Sequence, residues 1–310
     1  MQAISFKRYG GPEVLELGEW PDPQPGPHQL LIAVQAASVG PGDCKLRAGR
    51  LQAQHPIALP KIPGRSGAGV VVACGPGVTY ARSGLRVAFL ARHSEPGSAA
   101  QFIVRGPEQI VALPPSLDER AASAVVQPAL CALIALDEVA GLKPGQSVLI
   151  HGGAGAIGGQ AVLWARHCGA RVVATARAAK ADYLRSLGAA AVLCHDREDF
   201  SATPERFDVV LDTIGGETHA RSYRVLRPGG TLVCLNALPF VDQGAQFGVR
   251  TVVAAIDETA ERLRRVIALV AEGVFKAQVA AVLPLADCAE AHRRIEAGTQ
   301  GCGRIVLAVP

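Results

Sequence analysis

The sequence has little charge, and that charge is not concentrated anywhere. Only 19% of the 310 residues are charged, and the formal net charge is +4. No run of lysine or arginine accompanies this small excess, so the chain lacks the basic surface that nucleic-acid binding requires. A hydrophobic fraction of 49% with so small a net charge also excludes an intrinsically disordered chain. We therefore expect a folded protein that binds no nucleic acid.

Signals of secretion and membrane insertion are also lacking. No apolar stretch follows Lys7 and Arg8 near the N-terminus, as a secretory signal would require. The longest nearly apolar segment, residues 121–136, is too short to cross a bilayer and contains Gln127 and Pro128. We expect a soluble, cytoplasmic protein that does not act at a membrane.

Metal-binding motifs are absent as well. The cysteines include no CxxC pair, and the histidines form no HxH or HExxH motif. Their wide spacing predicts reduced, mostly buried thiols. Distant residues remain able to assemble a metal site, but no motif predicts one. The eight cysteines are Cys44, Cys74, Cys131, Cys168, Cys194, Cys234, Cys288 and Cys302.

Glycine and proline, in contrast, are abundant. The 34 Gly and 21 Pro have no G-X-Y period, which excludes a collagen-like chain. In residues 1–120 they separate short apolar runs at 29–36, 69–73 and 85–90. Short strands between frequent turns are typical of a compact β-barrel, so we expect this segment to be all-β.

From about residue 121 the sequence alternates between helical and strand patterns. A helical segment at 121–140 precedes a short apolar strand at 147–150. Such alternation predicts right-handed βαβ units and a doubly wound parallel sheet, an α/β architecture. Further strands are predicted at 171–175, 190–193, 208–212, 231–235, 251–255, 277–282 and 304–309, and helices at 157–168, 179–187, 217–226, 258–272 and 286–297.

A glycine-rich turn joins the strand at 147–150 to the helix that follows it. Gly153, Gly155 and Gly158 form a GxGxxG pattern in this strand-turn-helix setting. The first glycine permits a tight turn, the second lets backbone approach a pyrophosphate, and the third lets helix and strand pack closely. The helix N-terminus then presents N–H groups to the phosphates. We predict a Rossmann dinucleotide site that includes Ala154, Ala156 and Ile157; the alternative is an ordinary glycine-rich turn.

The end of the next strand indicates which nicotinamide cofactor binds. An NAD site places a carboxylate about 20 residues after the glycines. Here the strand ends at Thr175 and Ala176, with Arg177 next and Lys180 one turn on. Two cations and no carboxylate favour the 2′-phosphate of NADPH. The alternative is that both cations belong to a solvated helix start.

The order of these segments resembles the medium-chain dehydrogenase/reductase superfamily, specifically its zinc-free quinone oxidoreductase branch. The resemblance rests on the glycine turn, the C-terminal segment 301–307, and segments 37–43 with Arg47 and Gly49, 63–71, 75–78, 84–87, 142–145, 226–230, 284–285 and 291–292. It implies a GroES-like catalytic barrel in two parts, residues 1–120 and 257–310, around a Rossmann NADP(H)-binding domain at 121–256. It also implies a homodimer formed through the strand at 251–255.

The resemblance further implies that zinc is absent from the site. Gly40 stands where zinc-dependent relatives have their first Cys ligand, and Arg65 and Ser66 stand where they have a His-Glu pair. Two positions also depart from the zinc-free branch, which commonly has Asn at Gly40 and Tyr near Leu51. The acceptor pocket therefore lacks its usual hydrogen-bonding groups.

Several further residues are predicted on weaker grounds. Thr213 and Asn236 follow strands at the sheet edge where ligands bind, and His195 stands at the family's adenosine end. Asp43, Cys131 and His93 are the candidate catalytic residues, each with an ordinary structural alternative.

These features predict hydride transfer from NADPH to a quinone or another conjugated carbonyl, a small-molecule acceptor, without zinc. The alternatives are an enoyl or haloacrylate-type alkene reductase and a non-enzymatic NADPH-binding protein.

Overall fold

The computed structural model describes residues 1–235 and 241–310, and the chain forms two compact units. Unit 1 comprises Met1–Gln127, Glu258–Ala271 and Ala277–Pro310, and unit 2 comprises Pro128–Asp257 and Glu272–Lys276. The units therefore divide after Gln127 and Asp257, compared with residues 120 and 256 in the prediction. Glu272–Lys276 lies inside the predicted C-terminal return but belongs to unit 2.

The secondary structure of the described residues consists mainly of short strands and helices. The strands are β1 Gln2–Ser5, β2 Glu16–Glu19, β3 Leu30–Val39, β4 Ser66–Cys74, β5 Arg86–Leu90, β6 Phe102–Arg105, β7 Ile110–Ala112, β8 Ser147–His151, β9 Arg171–Ala176, β10 Ala191–Cys194, β11 Phe207–Asp212, β12 Leu226–Cys234, β13 Arg250–Val253, β14 Val279–Pro284 and β15 Arg304–Ala308. The α-helices are α1 Pro41–Arg47, α2 Glu119–Leu133, α3 Ala156–His167, α4 Ala181–Leu187, α5 Glu217–Ser222, α6 Gly244–Phe247, α7 Ala260–Ala271 and α8 Cys288–Glu296.

Unit 1 is built on a largely antiparallel seven-stranded sheet. Its order is β14-β15-β3-β4-β5-β7, and β6 pairs with β3. Alternate residues of β3, among them Leu30 and Ile32, point into a core shared with Phe6, Phe89 and Ile103. This alternation has the period of two that a strand with one buried face requires.

One part of unit 1 is helical where the sequence predicts only strands and turns. Helix α1 begins after Gly40, with Pro41 at its first position. Pro fits there because its fixed φ suits a helix start and its missing N–H has no partner to lose. The expectation that residues 1–120 are all-β is therefore wrong at this segment.

Unit 2 contains a six-stranded, fully parallel sheet. Its order is β10-β9-β8-β11-β12-β13, so the strand order reverses between β8 and β11. Helix α3 packs on β8 and β9, and α5 packs on β11 and β12. This order and these helices confirm the predicted doubly wound Rossmann architecture.

Helix α2 continues through a π-helical turn, Ile134–Val139, into one helical stretch of 21 residues. By length and composition alone, Glu119–Val139 is apolar enough to cross a membrane, and it is longer than the predicted apolar segment 121–136. However, 78% of its most apolar window is buried inside the protein. Such burial is typical of a core helix of a folded domain.

Candidate dinucleotide site

The predicted cofactor residues of unit 2 lie at the carboxyl ends of the parallel strands. Asp212, at the end of β11, is in register with His151 at the end of β8 and with Cys234 at the end of β12. Because the strands are parallel, the loops that follow them meet at one edge of the sheet. The switch point of the sheet, where ligands of open α/β sheets bind, lies at this edge between β8 and β11.

The roles of the individual glycines in the turn differ from those predicted. The positive φ of +70° falls on Gly152, one residue before the predicted tight-turn glycine. Gly153 instead allows close packing, because a Cβ at this position would lie 2.8 Å from the Cβ of Ala174 on β9. Gly152 therefore makes the turn, and Gly153 lets it lie flat against the neighbouring strand.

The other two glycines place the start of α3 against the turn. A Cβ at Gly155 would lie 3.2 Å from the Gly152 carbonyl oxygen, and a Cβ at Gly158 would overlap that oxygen. Gly155 is the N-cap of α3 and makes no side-chain cap hydrogen bond. The first N–H groups of the helix, at Ala156 and Ile157, thus have no side-chain cap. Together with the helix dipole they form a site that suits a diphosphate.

Thr175 supports this turn from below. It is 4% exposed, and its hydroxyl accepts a hydrogen bond from the Gly152 N–H at 3.2 Å. Its carbonyl oxygen accepts a hydrogen bond from the Gly153 N–H at 3.0 Å. The structure therefore gives Thr175 a role in positioning the turn. Its predicted direct contact with the cofactor stays a prediction.

His151 connects three elements beneath the turn, and sequence reasoning missed it. Its Nδ1 lies 3.2 Å from the Thr175 hydroxyl, and its Nε2 lies 3.0 Å from the Ser222 hydroxyl on α5. Burial lowers the pKa of His151 to about 3, so the ring is neutral at physiological pH. A neutral imidazole can be buried here because both nitrogens have hydroxyl partners.

The predicted cations lie at the ends of two adjacent strands. Arg177 directly follows β9 and is exposed, and Lys180 lies three residues further on. His195 directly follows β10 and is also exposed, and its N–H donates to the Ala176 carbonyl at 3.1 Å. The structure therefore brings Arg177 and His195 to the same end of the sheet.

Asp196 adds a negative charge at this end that the sequence analysis did not anticipate. Its Oδ1 accepts a hydrogen bond from the Ala178 N–H at 2.8 Å. This bond holds the pKa of Asp196 below its ordinary value, so the carboxylate is ionised at neutral pH. The sequence signal would have been its position two residues after β10, the third strand of the parallel sheet in chain order; the prediction considered only the end of the second, β9.

The loop after β11 crosses the glycine turn. The Thr213 hydroxyl donates to the His151 carbonyl at 2.8 Å, which fixes the loop to the end of β8. Ile214 is 52% exposed, and its Cδ1 would lie 2.9 Å from a Cβ at Gly152. An exposed apolar side chain beside the turn is a further candidate contact that sequence reasoning missed. Asn236 lies outside the described residues.

The weak catalytic candidates have mainly structural surroundings. Asp43 is 5% exposed, and its Oδ2 accepts a 2.8 Å hydrogen bond from the Gly40 N–H, which caps α1. Burial raises the pKa of this carboxyl, against the opposing effect of the nearby cations Arg304, Arg65 and Lys61. Cys131 is 3% exposed within α2.

His93 is unsuited to donating a proton as an imidazolium. Its ring centroid lies 4.3 Å from that of His55, with the two ring planes tilted by 36°. Burial and the charge of Arg65 lower the pKa of His93 to about 3. The ring is therefore neutral near pH 7, and a general acid with so low a pKa is largely unprotonated there.

Unit 1 carries positive charge where zinc ligands would stand in zinc-dependent relatives. The space beside Gly40 is filled by the Arg304 guanidinium, which donates to the Gln127 side chain. The Arg65 guanidinium donates to the Ala91 carbonyl at 3.0 Å, and the Ser66 hydroxyl donates to the Ser123 carbonyl at 2.9 Å. A side chain at Gly40 would therefore meet the Arg304 guanidinium and require that side chain to move.

Two family models match separate parts of the chain. An alcohol dehydrogenase GroES-like domain matches residues 26–115, and a zinc-binding dehydrogenase matches residues 187–307. The first match lies within unit 1 and confirms its predicted GroES-like character.

Known proteins are similar over most or all of the chain. A quinone oxidoreductase of Rattus norvegicus is 28% identical over 324 residues, which cover 99% of this chain and 97% of that protein. A 2-methylene-furan-3-one reductase of Solanum lycopersicum is 34% identical over 245 residues, which cover 76% of this chain and 62% of that protein. A mycobacterial protein solved in complex with NADPH superposes with a TM-score of 0.89 at 29% identity, covering 99% of this chain and 100% of the other.

The contact between α3 and the glycine turn predicts a cost for any side chain at Gly158. Replacing Gly158 with alanine places a Cβ against backbone that cannot move without displacing the turn. We expect Gly158→Ala to lower the free energy of unfolding by about 1–3 kcal/mol, measured by urea denaturation. Gly42→Ala in helix α1 is the matched control, because no atom lies within 4 Å of its added Cβ. That variant should match or exceed the wild-type stability by up to about 1 kcal/mol. Equal stability of both variants would contradict the assigned packing role.

Proposed function

Because the chain belongs to the medium-chain dehydrogenase/reductase superfamily, in its quinone oxidoreductase branch, we propose that it is a zinc-independent, NADPH-dependent oxidoreductase acting on a quinone or another conjugated carbonyl. The observation that carries this proposal is the uncapped N-terminus of α3 at the switch point of a parallel sheet, with two cations following β9. The mycobacterial structure with NADPH supports the choice of cofactor by similarity.

Three groups of residues in unit 2 would bind different parts of the cofactor. The N–H groups of Ala156 and Ile157 take the diphosphate. Arg177 and Lys180 would take the 2′-phosphate, and the exposed Ile214 beside the turn would pack against the cofactor. Asp196 would weaken the binding of the 2′-phosphate, because its ionised carboxylate repels a second negative group. The bound nicotinamide supplies the hydride for the reaction.

Unit 1 places two guanidinium groups at or beside the positions where zinc-dependent relatives hold their metal, which supports the proposal of zinc independence. Arg304 and Arg65 carry permanent positive charge at positions where zinc would need anionic or neutral ligands. A guanidinium can instead stabilise the negative charge that develops on an acceptor oxygen when hydride arrives. Since His93 is neutral and Asp43 caps a helix, we assign the final proton to solvent.

Two other functions remain as alternatives, each with its own observation. The reductase from Solanum lycopersicum acts, by its name, on a methylene-furanone, which favours reduction of an activated C=C bond. The missing Asn and Tyr, at Gly40 and Leu51, favour a protein that binds NADPH without turning over an acceptor.

The cofactor assignment predicts that NADPH binds more tightly than NADH. Arg177→Ala should weaken NADPH binding by on the order of tenfold or more and leave NADH binding unchanged, because only NADPH has the 2′-phosphate. Asp196→Asn should tighten NADPH binding, since it removes the opposing charge. Fluorescence titration of the nicotinamide measures both. Arg185→Ala, an exposed arginine on α4, is the control and should change neither affinity. Equal binding of the two cofactors by the wild type would refute the assignment.

The reaction assignment predicts NADPH oxidation in the presence of quinones or enones, with no requirement for zinc. Turnover per folded molecule should be unchanged by a chelator or by added zinc, with folding followed by circular dichroism. Faster turnover of enones than quinones would favour the alkene reductase. Tight NADPH binding with no turnover of either class would favour the binding protein. A loss of turnover with chelator in fully folded protein would refute zinc independence.

We also propose that a second copy of the chain pairs with β13. This strand is the edge of the six-stranded sheet, and Val253 on it is 47% exposed. An unpaired apolar edge is suited to symmetric pairing between two copies. Sedimentation should detect a dimer, and Val253→Lys should weaken it, whereas Val279→Lys on the edge strand β14 should not. A monomeric wild type at micromolar concentration would contradict this pairing.

A further inference from the structure

Three buried side chains with metal-binding chemistry meet beneath the carboxyl edge of the sheet in unit 2. Asp212 ends β11, His219 lies in α5, and Cys234 ends β12. One potential ligand atom of each lies within 4.8 Å of the others. Their relative exposures are 0%, 5% and 0%, so none belongs to the exposed part of the dinucleotide site.

The spacing of these atoms fits a tetrahedral ion. The Cys234 Sγ lies 3.2 Å from the His219 Nδ1, and the same nitrogen lies 3.6 Å from the Asp212 Oδ2. Zinc bond lengths of about 2.0–2.3 Å at tetrahedral angles give ligand separations of about 3.3–3.6 Å. The Asp212 and Cys234 atoms lie at most 4.8 Å apart, so an adjustment of these side chains would bring all three atoms onto one ion.

The Asp212 carboxylate provides a second observation that favours a cation at this position. Its Oδ1 accepts hydrogen bonds from the N–H groups of Ile214 and Gly215, at 2.8 and 3.0 Å. Its Oδ2 is fully buried, points toward the cluster, and accepts no hydrogen bond from residues 1–235 or 241–310. A buried carboxylate oxygen without a hydrogen bond is rare, and a bound cation is one of the few arrangements that accounts for it.

A hydrogen bond to Nε2, the nitrogen that faces away from the cluster, holds the His219 ring in an orientation that suits metal binding. Its Nε2 lies 3.1 Å from the Tyr223 hydroxyl, which also accepts a hydrogen bond from the Gln243 N–H at 3.2 Å. With Nε2 as the donor to this hydroxyl, Nδ1 presents its lone pair toward Asp212 and Cys234. Partners of this kind fix the tautomer of metal-binding histidines.

We propose that Asp212, His219 and Cys234 bind a divalent transition-metal ion of borderline softness, with zinc as the best fit. Thiolate, imidazole and carboxylate together favour zinc or cobalt over calcium or magnesium, which prefer oxygen ligands. Two anionic ligands neutralise a divalent charge, which suits a fully buried site. The three side chains leave the fourth tetrahedral position for water. Binding releases the proton of the Cys234 thiol, whose pKa burial raises to about 12 in the metal-free protein.

The site is distinct from the zinc positions excluded above, because Gly40, Arg65 and Ser66 belong to unit 1 and this cluster belongs to unit 2. Its role is structural. The ion joins the ends of β11 and β12 to α5, directly before the loop that carries Thr213. It does not depend on the proposed hydride transfer and can be tested without cofactor or acceptor.

Cobalt binding to the full chain tests the proposal. Chelator-treated protein titrated with Co²⁺ should bind one equivalent and show thiolate-to-cobalt charge-transfer absorption, which zinc should abolish. Cys234→Ser should lose this absorption, and Asp212→Asn should lose most of the binding while keeping an oxygen for Ile214 and Gly215. Tyr223→Phe should weaken binding by on the order of 10- to 100-fold, as loss of a histidine partner does.

The control distinguishes this site from other thiols. Cys168→Ser removes a more accessible cysteine that follows His167 and should leave the absorption and the affinity unchanged. Circular dichroism verifies folding, and Asp212→Asn provides the test if Cys234→Ser does not fold. Absence of saturable binding by the wild type, or binding retained in both the Cys234 and Asp212 variants, would show a hydrogen-bonded cluster only and would overturn the proposal.

Discussion

The close approach of helix α3 to the Gly152 carbonyl is the constraint on which the dinucleotide site depends. It is possible only because Gly158 has no side chain, and it sets how far the helix N-terminus extends over the sheet edge. The same approach requires the positive φ at Gly152 and the flat packing of Gly153 against β9. Thr175 and His151 then hold the turn from below by hydrogen bonds. The uncapped amides of α3 therefore have a fixed position before any ligand binds, which lowers the ordering cost of binding.

Burial determines the protonation of the groups around both candidate sites. His151 and His93 both have pKa values lowered to about 3, so each is a neutral polar group at physiological pH. The permanent charges in these regions are carried instead by arginines, whose guanidinium groups stay protonated when partly buried. This division supports the proposed reaction, which depends on positioning and on fixed positive charge, with neither His93 nor His151 acting as the acid.

The cysteines show which of their properties the sequence predicts and which it does not. All eight lie in the described residues, and none of them forms a disulfide there; Cys44, Cys131, Cys234 and Cys288 are buried, Cys74 is exposed, and the other three are intermediate. Half of them, and not most, are therefore buried. Their spacing carries no information about Cys234, whose neighbours His219 and Asp212 come from other elements. The absence of a zinc-binding sequence motif therefore does not exclude a metal site that is assembled from distant residues.

The sequence by itself determined the parallel sheet, the glycine turn and the two cations after β9. Each depends on periodicity or spacing within about 30 residues, so local patterns were sufficient to predict it. Only the tertiary structure decided that Arg304 fills the space beside Gly40, that Asp196 lies against the turn after Arg177, and that Asp212, His219 and Cys234 meet. The physical reason is that strand register and helix packing bring together side chains that are far apart in the chain, and neither is encoded in the spacing of any one segment.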